Sequence, residues 1–131
     1  MIGALVVTHG NLGRELVAAA EMIVGEISHI QAVSVGWYDD VNDARNDIEK
    51  RVEEVESGRG VIILTDMFGG TPSNIAFSFH DPGKVDVVTG VNLPMVLAIA
   101  QNRDGCNLNS LAKKAQDAAK MGISLAGNLL K

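Results

Sequence analysis

Four short apolar runs, each ending at a polar or glycine residue, set the rhythm of the chain. Ala4 to Val7 is continuous and rich in β-branched residues, as suits a strand covered on both faces, and it stops at Thr8-His9-Gly10. Directly afterwards Leu12, Leu16, Ala20 and Ile23 recur at helical spacing, so a helix is expected from an Asn11 N-cap to about Val24, ending at Gly25. His29 to Gly36 alternates loosely and reads as a second strand. Val41, Ala44, Ile48, Val52 and Val55 then form the apolar stripe of a second helix. Its other face is charged, with Asp47 and Arg51, and Lys50 and Glu54, four residues apart. Val61 to Leu64 is the clearest strand and ends at Thr65-Asp66, after which Ile75, Ala76 and Phe79 mark a short helix. Val85 to Thr89 gives a fourth strand, Met95 to Gln101 a further helical stretch, and Leu108, Leu111, Ala112, Ala115 and Ala119 a last full helix ending near Gly122. The tail, Ile123 to Lys131, is compatible with a strand or with a helix end.

Strands alternating with helices imply an α/β fold: a doubly wound, mainly parallel sheet with right-handed crossovers and helices on both faces. The simplest order for four such strands is 2-1-3-4, within a single domain spanning residues 1–131. In that order the direction of winding reverses between the first and third strands, and open α/β sheets place ligands at this switch point, beyond the carboxyl ends of the strands. The residues delivered there are Thr8-His9 and Thr65-Asp66.

Composition narrows the partners. With 47% hydrophobic and 21% charged residues the chain has the make-up of a globular domain. A formal charge of -5 and no lysine- or arginine-rich block argue against nucleic acid or an anionic membrane and favour a basic protein partner. No apolar run reaches the roughly 18 residues of a membrane span and no basic segment precedes the first strand, so a cytoplasmic protein is expected. Cys106 is the single cysteine, which excludes an internal disulfide and a cysteine zinc site; its Asp104-Gly105-Cys106-Asn107 setting reads as a loop.

A carboxylate beside an imidazole accepts one ring N–H, fixes the tautomer and leaves the other nitrogen free as a nucleophile or base. His9 and Asp66 meet that description once the strand order is granted, and a covalent histidine intermediate becomes feasible. Gly69-Gly70-Thr71-Pro72 supplies what a phosphoryl group wants. The glycines let backbone N–H groups approach an anion, Thr71 can cap the helix and offer a hydroxyl, and Pro72 suits the first helical position. An ordinary strand-to-helix turn has the same composition; the conjunction with His9 and Asp66 is what favours an anion site. The stretch is not a P-loop, lacking the Gly-Lys-Ser/Thr end, and no cluster of metal ligands or cofactor motif is visible.

Taken together, Val-Val-Thr-His9-Gly10 closing the first strand, Asp66-Met-Phe-Gly69-Gly70-Thr71-Pro72 after the third, and Gly90-Val-Asn92-Leu-Pro94-Met95 after the fourth resemble the mannose-type enzyme IIA domain of the phosphoenolpyruvate-dependent sugar phosphotransferase system. The resemblance covers nearly the whole chain. It implies that His9 accepts a phosphoryl group on Nε2 from the phosphorylated histidine phosphocarrier protein and passes it to a IIB component. It also implies that Asp66 orients the ring and that Thr71, with Gly69 and Gly70, lies near the phosphate. No cofactor or metal is implied. A homodimer is, in which a C-terminal antiparallel edge strand is exchanged, here Met121 to Leu130 with Gly122 as hinge. The IIB partner is expected on a separate chain, and the membrane is reached only through permease subunits. Phe68 and the Trp37-Tyr38-Asp39-Asp40 loop beside the crevice are expected to form the docking rim, where Asp39 and Asp40 steer a basic carrier; burial of Trp37 or Phe68 in the core is the competing use.

Three other readings compete. Thr8-His9-Gly10 also resembles the start of the histidine phosphatases, but those need an arginine immediately before the histidine, where this chain has Thr8. The IIA-like domain of the multiphosphoryl subunit of dihydroxyacetone kinase is similar in fold but usually lacks the Gly-Gly-Thr-Pro and Asn-Leu-Pro motifs. A regulatory phospho-acceptor module that reports carrier status needs the same acceptor site as a transport component.

Overall fold

The structure is a computed structural model that describes residues 1–36 and 40–130. Its centre is a four-stranded parallel sheet in the order β2-β1-β3-β4, built from β1 (Gly3–His9), β2 (Ile30–Val35), β3 (Val61–Thr65) and β4 (Val85–Thr89). The expected 2-1-3-4 order is therefore observed. Val7 of β1 lies opposite both Val33 of β2 and Thr65 of β3, and His9 lies opposite Val35, so the ends of β1 and β3 come out level at one edge.

Alternation along the strands divides the core into two layers. Ala4 and Val6 of β1 and Ile62 and Leu64 of β3 face α1 (Leu12–Val24), α4 (Leu93–Asn102) and α5 (Leu108–Met121), packing with Ala20, Met95, Ile99 and Leu111. Leu5, Val7, Val61 and Ile63 point the other way, toward Ala44 and Ile48 of α2 (Val41–Val55) and Ile75 and Ala76 of α3 (Thr71–Phe77). Both faces of β1 and β3 are thus covered, which is why these two strands read as unbroken apolar runs.

Helix starts follow local chemistry. Asp40 caps α2 by accepting the Asn42 N–H at 2.7 Å, and Asn92 caps α4 by accepting the Met95 N–H at 3.0 Å. The Asn92 cap, with Pro94 in the first turn, starts α4 at Leu93, two residues before the apolar spacing alone had placed it. The tail, for which the sequence allowed a strand, forms a single helical turn (α6, Ala126–Leu129), and no fifth strand joins the sheet among the described residues. Ile123, Leu125, Leu129 and Leu130 are all exposed there. Without a partner strand to supply hydrogen bonds, a local turn (the Asn128 N–H to Leu125 O, 2.9 Å) is what this segment can form by itself. Among the described residues no helix is long and apolar enough to cross a membrane.

Candidate functional site

Where β1 gives way to α1, three hydrogen bonds fix the backbone. The His9 N–H donates to Asp66 Oδ2 at 2.9 Å, the Gly10 N–H to the Val35 carbonyl at 3.1 Å, and the Gly13 N–H to Thr8 Oγ1 at 2.8 Å. Gly10 turns the chain out of the strand with φ of +54°, a left-handed conformation in which a β-carbon is strained. Asn11 does occupy the N-cap position of α1, but its side chain makes no capping bond; Oδ1 instead accepts from Ser34 Oγ at 3.3 Å. Capping falls to Thr8, whose buried hydroxyl reaches the second amide of the helix from below.

The imidazole of His9 stands half exposed at the sheet edge, with Nδ1 2.8 Å from Asp66 Oδ2. A carboxylate can only accept, so in the neutral imidazole the proton of this bond sits on Nδ1 and the lone pair on Nε2. Asp66 is partly buried and takes three donors: the His9 backbone and ring N–H groups on Oδ2, and the Met67 N–H, 3.0 Å away, on Oδ1. Burial pushes its carboxyl up, but the His9 and Met67 donors together outweigh this and hold it below the ordinary carboxylate range. The pairing foreseen from the strand order is thus observed, and the second bond from the same oxygen to the His9 amide is a feature that residue types alone did not suggest.

The other side of the imidazole meets the turn before α3. A β-carbon added at Gly70 would lie 2.9 Å from His9 Cε1 and 3.4 Å from Nε2, so the ring occupies the space that any other residue at 70 would fill. Gly69 reaches this arrangement with φ of +86°. Gly70, not Thr71, is the N-cap of α3; its carbonyl accepts from Ser73 Oγ at 2.9 Å and from the Asn74 N–H at 2.9 Å. The expected capping role of Thr71 is therefore corrected: it is the first helical residue, exposed, with Pro72 following inside the first turn.

Beside His9 lies a crevice of about 650 Å³. His9, Gly69, Gly70 and Thr71 are among its lining residues, and Val35, Val41, Ala44 and Ile75 supply apolar surface. Of the expected docking residues, Phe68 is 75% exposed and meets Phe77 edge-on with ring centroids 5.9 Å apart, so it is not a core residue. Asp40 is exposed and engaged as the α2 cap; Trp37 and Asp39, also expected at this rim, lie outside the described residues. The residues that sequence reasoning missed are Thr8 and the Met67 amide. Only the hydroxyl of Thr8, standing alone at the end of an apolar run, could have signalled the former.

A family profile described as PTS system fructose IIA component matches residues 3–116. Among curated proteins, the fructose-specific EIIA component of Bacillus subtilis is 26% identical over 99% of this chain and 90% of its own length. The mannose-specific EIIAB component of Escherichia coli is 34% identical over 93% of this chain, which spans 38% of that longer protein. Among solved structures, a PTS IIA protein associated with the fucose utilization operon of Streptococcus pneumoniae superposes with a TM-score of 0.84, at 30% identity over 98% of this chain and 96% of that one. A phosphotransferase system EIIA component from Streptococcus agalactiae gives a TM-score of 0.88 at 24% identity, over 98% and 99% of the two chains, and shares the fold.

Proposed function

The chain belongs to the mannose-type enzyme IIA family of the sugar phosphotransferase system, whose members are phosphoryl carriers, and from that premise we propose that His9 is the phosphoryl acceptor. One observation carries the assignment: Nδ1 is committed to Asp66 at 2.8 Å, which leaves the Nε2 lone pair beside Gly70 at the wall of the crevice. Nε2 attacks the phosphorus of a phosphohistidine on the histidine phosphocarrier protein. A new N–P bond forms as the carrier's N–P bond breaks, and the electron pair returns to the carrier's ring nitrogen. The His9 proton stays on Nδ1, where the Asp66 carboxylate stabilises the charge that the ring gains. Passing the group to a IIB component runs the same exchange in reverse. Little covalent work is asked of other groups, so rate depends on placement and on donors around the migrating phosphoryl group. Gly69, Gly70 and Thr71 are proposed to supply those donors.

Docking is proposed at the rim, with Phe68 as an apolar contact and Asp40, joined by Trp37 and Asp39, facing a basic carrier in the cytoplasm. The chain's net charge of -5 supports that polarity. A homodimer is also proposed, in which the apolar tail beyond Gly122 lies along the outer edge of a partner's β4. A cleft of about 530 Å³ between β4 and α5, bordered by Val87, Ala112 and Ile123, supports it. Removal of residues 122–131 should then convert a dimer to a monomer in light scattering; a dimer that survives truncation argues against exchange.

The deciding experiment is intact mass after incubation with phosphoenolpyruvate, enzyme I and the histidine phosphocarrier protein, beside a His9→Ala variant. One acid-labile phosphoryl group on the parent and none on the variant is the expected result. An unmodified parent in the presence of active carrier would sink the assignment.

A further inference from the structure

Thr8 faces the apolar layer that holds Ala4 and Val6, and it is fully buried. A hydroxyl in such a place costs stability unless it is bonded. Its partner is the Gly13 N–H, 2.8 Å away and five residues along the chain. The fit is close on both sides: a β-carbon at Gly13 would come within 3.1 Å of Val6 Cγ1 and 3.2 Å of Thr8 Oγ1, so the first turn of α1 sits directly on the strand because residue 13 has no side chain. The segment closed by this bond, residues 9–12, is the turn that carries His9. The turn is also tied by the His9 N–H to Asp66 just past β3, by the Gly10 N–H to Val35 of β2, and by Asn11, whose Oδ1 accepts from Ser34 Oγ of β2 and whose carbonyl accepts from the Glu15 N–H of α1. The bond from Gly13 to Thr8 is the one of these that joins the helix directly to the strand beneath it.

We propose that Thr8 is a positioning residue for phosphoryl transfer, its hydroxyl clamping the strand-to-helix turn so that the His9 ring is held against Gly70. The inference rests on the phosphoryl-acceptor reading of His9 and names a group that acts on that site from the interior, without touching the migrating phosphoryl group. Valine at position 8 keeps the shape and loses the acceptor. The Gly13 amide is then unpaired in the interior, the turn gains freedom, and the ring keeps its Asp66 bond while its Nε2 wanders from the line of attack. Serine keeps the acceptor and loses one methyl group.

The experiment compares the parent, Thr8→Val and Thr8→Ser in carrier-dependent phosphorylation well below their melting temperatures, separating the transfer rate constant from the concentration of phosphorylated carrier at half saturation. The rate constant is expected to fall about tenfold to a hundredfold in Thr8→Val, as displacements near 1 Å do, with half saturation unchanged and amide exchange at Gly13 accelerated. Thr8→Ser is expected within about threefold of the parent. A folded Thr8→Val that transfers at the parent rate overturns the clamp while leaving His9 as acceptor; a parent that accepts no phosphoryl group overturns both. Should Thr8→Val fail to fold, Thr8→Cys, a weak acceptor of similar size, decides the matter: an intermediate rate supports the clamp and the parent rate overturns it.

Discussion

Gly70→Ala is the substitution for which the geometry yields the sharpest expectation. The added β-carbon would stand 2.9 Å from His9 Cε1, whereas carbon atoms in good contact lie about 3.5 to 4.0 Å apart, so the two must separate by about 0.6 to 1 Å. The backbone is not the part that yields. Gly70 has φ of −83° and ψ of 167°, a conformation open to alanine, and its carbonyl is held by Ser73 and Asn74. The imidazole must move, because it is a half-exposed side chain held by one ring hydrogen bond. Two consequences separate. Stability should change by less than about 1 kcal/mol, since the lost conformational freedom of the unfolded chain roughly offsets alanine's poorer capping. Transfer should suffer much more, because misplacement by about 1 Å costs up to a hundredfold, or about 2.7 kcal/mol of barrier. The assay is the rate at which an acid-labile phosphoryl group appears by intact mass, with thermal unfolding measured on the same sample. A Gly70→Ala protein phosphorylated at the parent rate would refute the reasoning, because the ring would then have room to spare.

The remaining expectations concern groups beneath and beside the imidazole. Asp66→Asn removes the charge that holds the Nδ1 proton and one of the two oxygens that accept from His9 and Met67, and should slow transfer by at least about tenfold, as loss of a charge-assisted hydrogen bond worth about 1.5 to 3 kcal/mol implies; a parent-like rate would contradict an orienting role. Asp66 also sets a pH dependence of stability. Its carboxyl titrates lower in the folded chain than in the unfolded one, so its contribution is complete above the ordinary carboxylate pKa and is lost as pH falls from there through the lowered folded value. Urea unfolding of the parent and Asp66→Asn should accordingly give a stability difference that is constant near neutrality and shrinks below about pH 4; a difference independent of pH would show that the carboxyl is not held low. Thr65→Val should raise stability by about 1 kcal/mol, because Thr65 Oγ1 is buried with no hydrogen-bond partner among the described residues and valine removes that cost at nearly equal shape; an unchanged or lowered unfolding midpoint would contradict this. Asp40→Asn should slow phosphorylation mainly at low ionic strength, since asparagine still caps α2 and only the charge is lost; a change that salt does not alter would remove the steering role.

What the sequence disclosed about this site and what it withheld differ for a physical reason. The strand order and the meeting of His9 with Asp66 follow from burial. Ala4 to Val7 and Val61 to Leu64 are apolar on both faces, only central strands are covered twice, and two central strands of a doubly wound sheet end side by side. Such patterns are written in many residues at once, and no single substitution obscures them. Caps and clamps depend instead on which of several nearby acceptors reaches an amide first. At the start of α1 local preference points to Asn11. Thr8 takes the Gly13 amide because it lies beneath the helix, a fact of packing that spacing along the chain does not encode. Thr71 yields the N-cap of α3 to Gly70 for a related reason: the residue nearest the imidazole must lack a side chain, and the helix begins one position earlier than a Thr71 cap would start it. The tail is a third case. Its apolar residues specify that something should cover them, but the hydrogen bonds that would make Met121 to Leu130 a strand have to come from outside the segment, so its pattern is as compatible with the observed turn as with an exchanged edge. The chemistry of the site is therefore legible wherever it is fixed by which strands are buried, and becomes legible only in three dimensions where it is fixed by contacts between a strand and the helix above it.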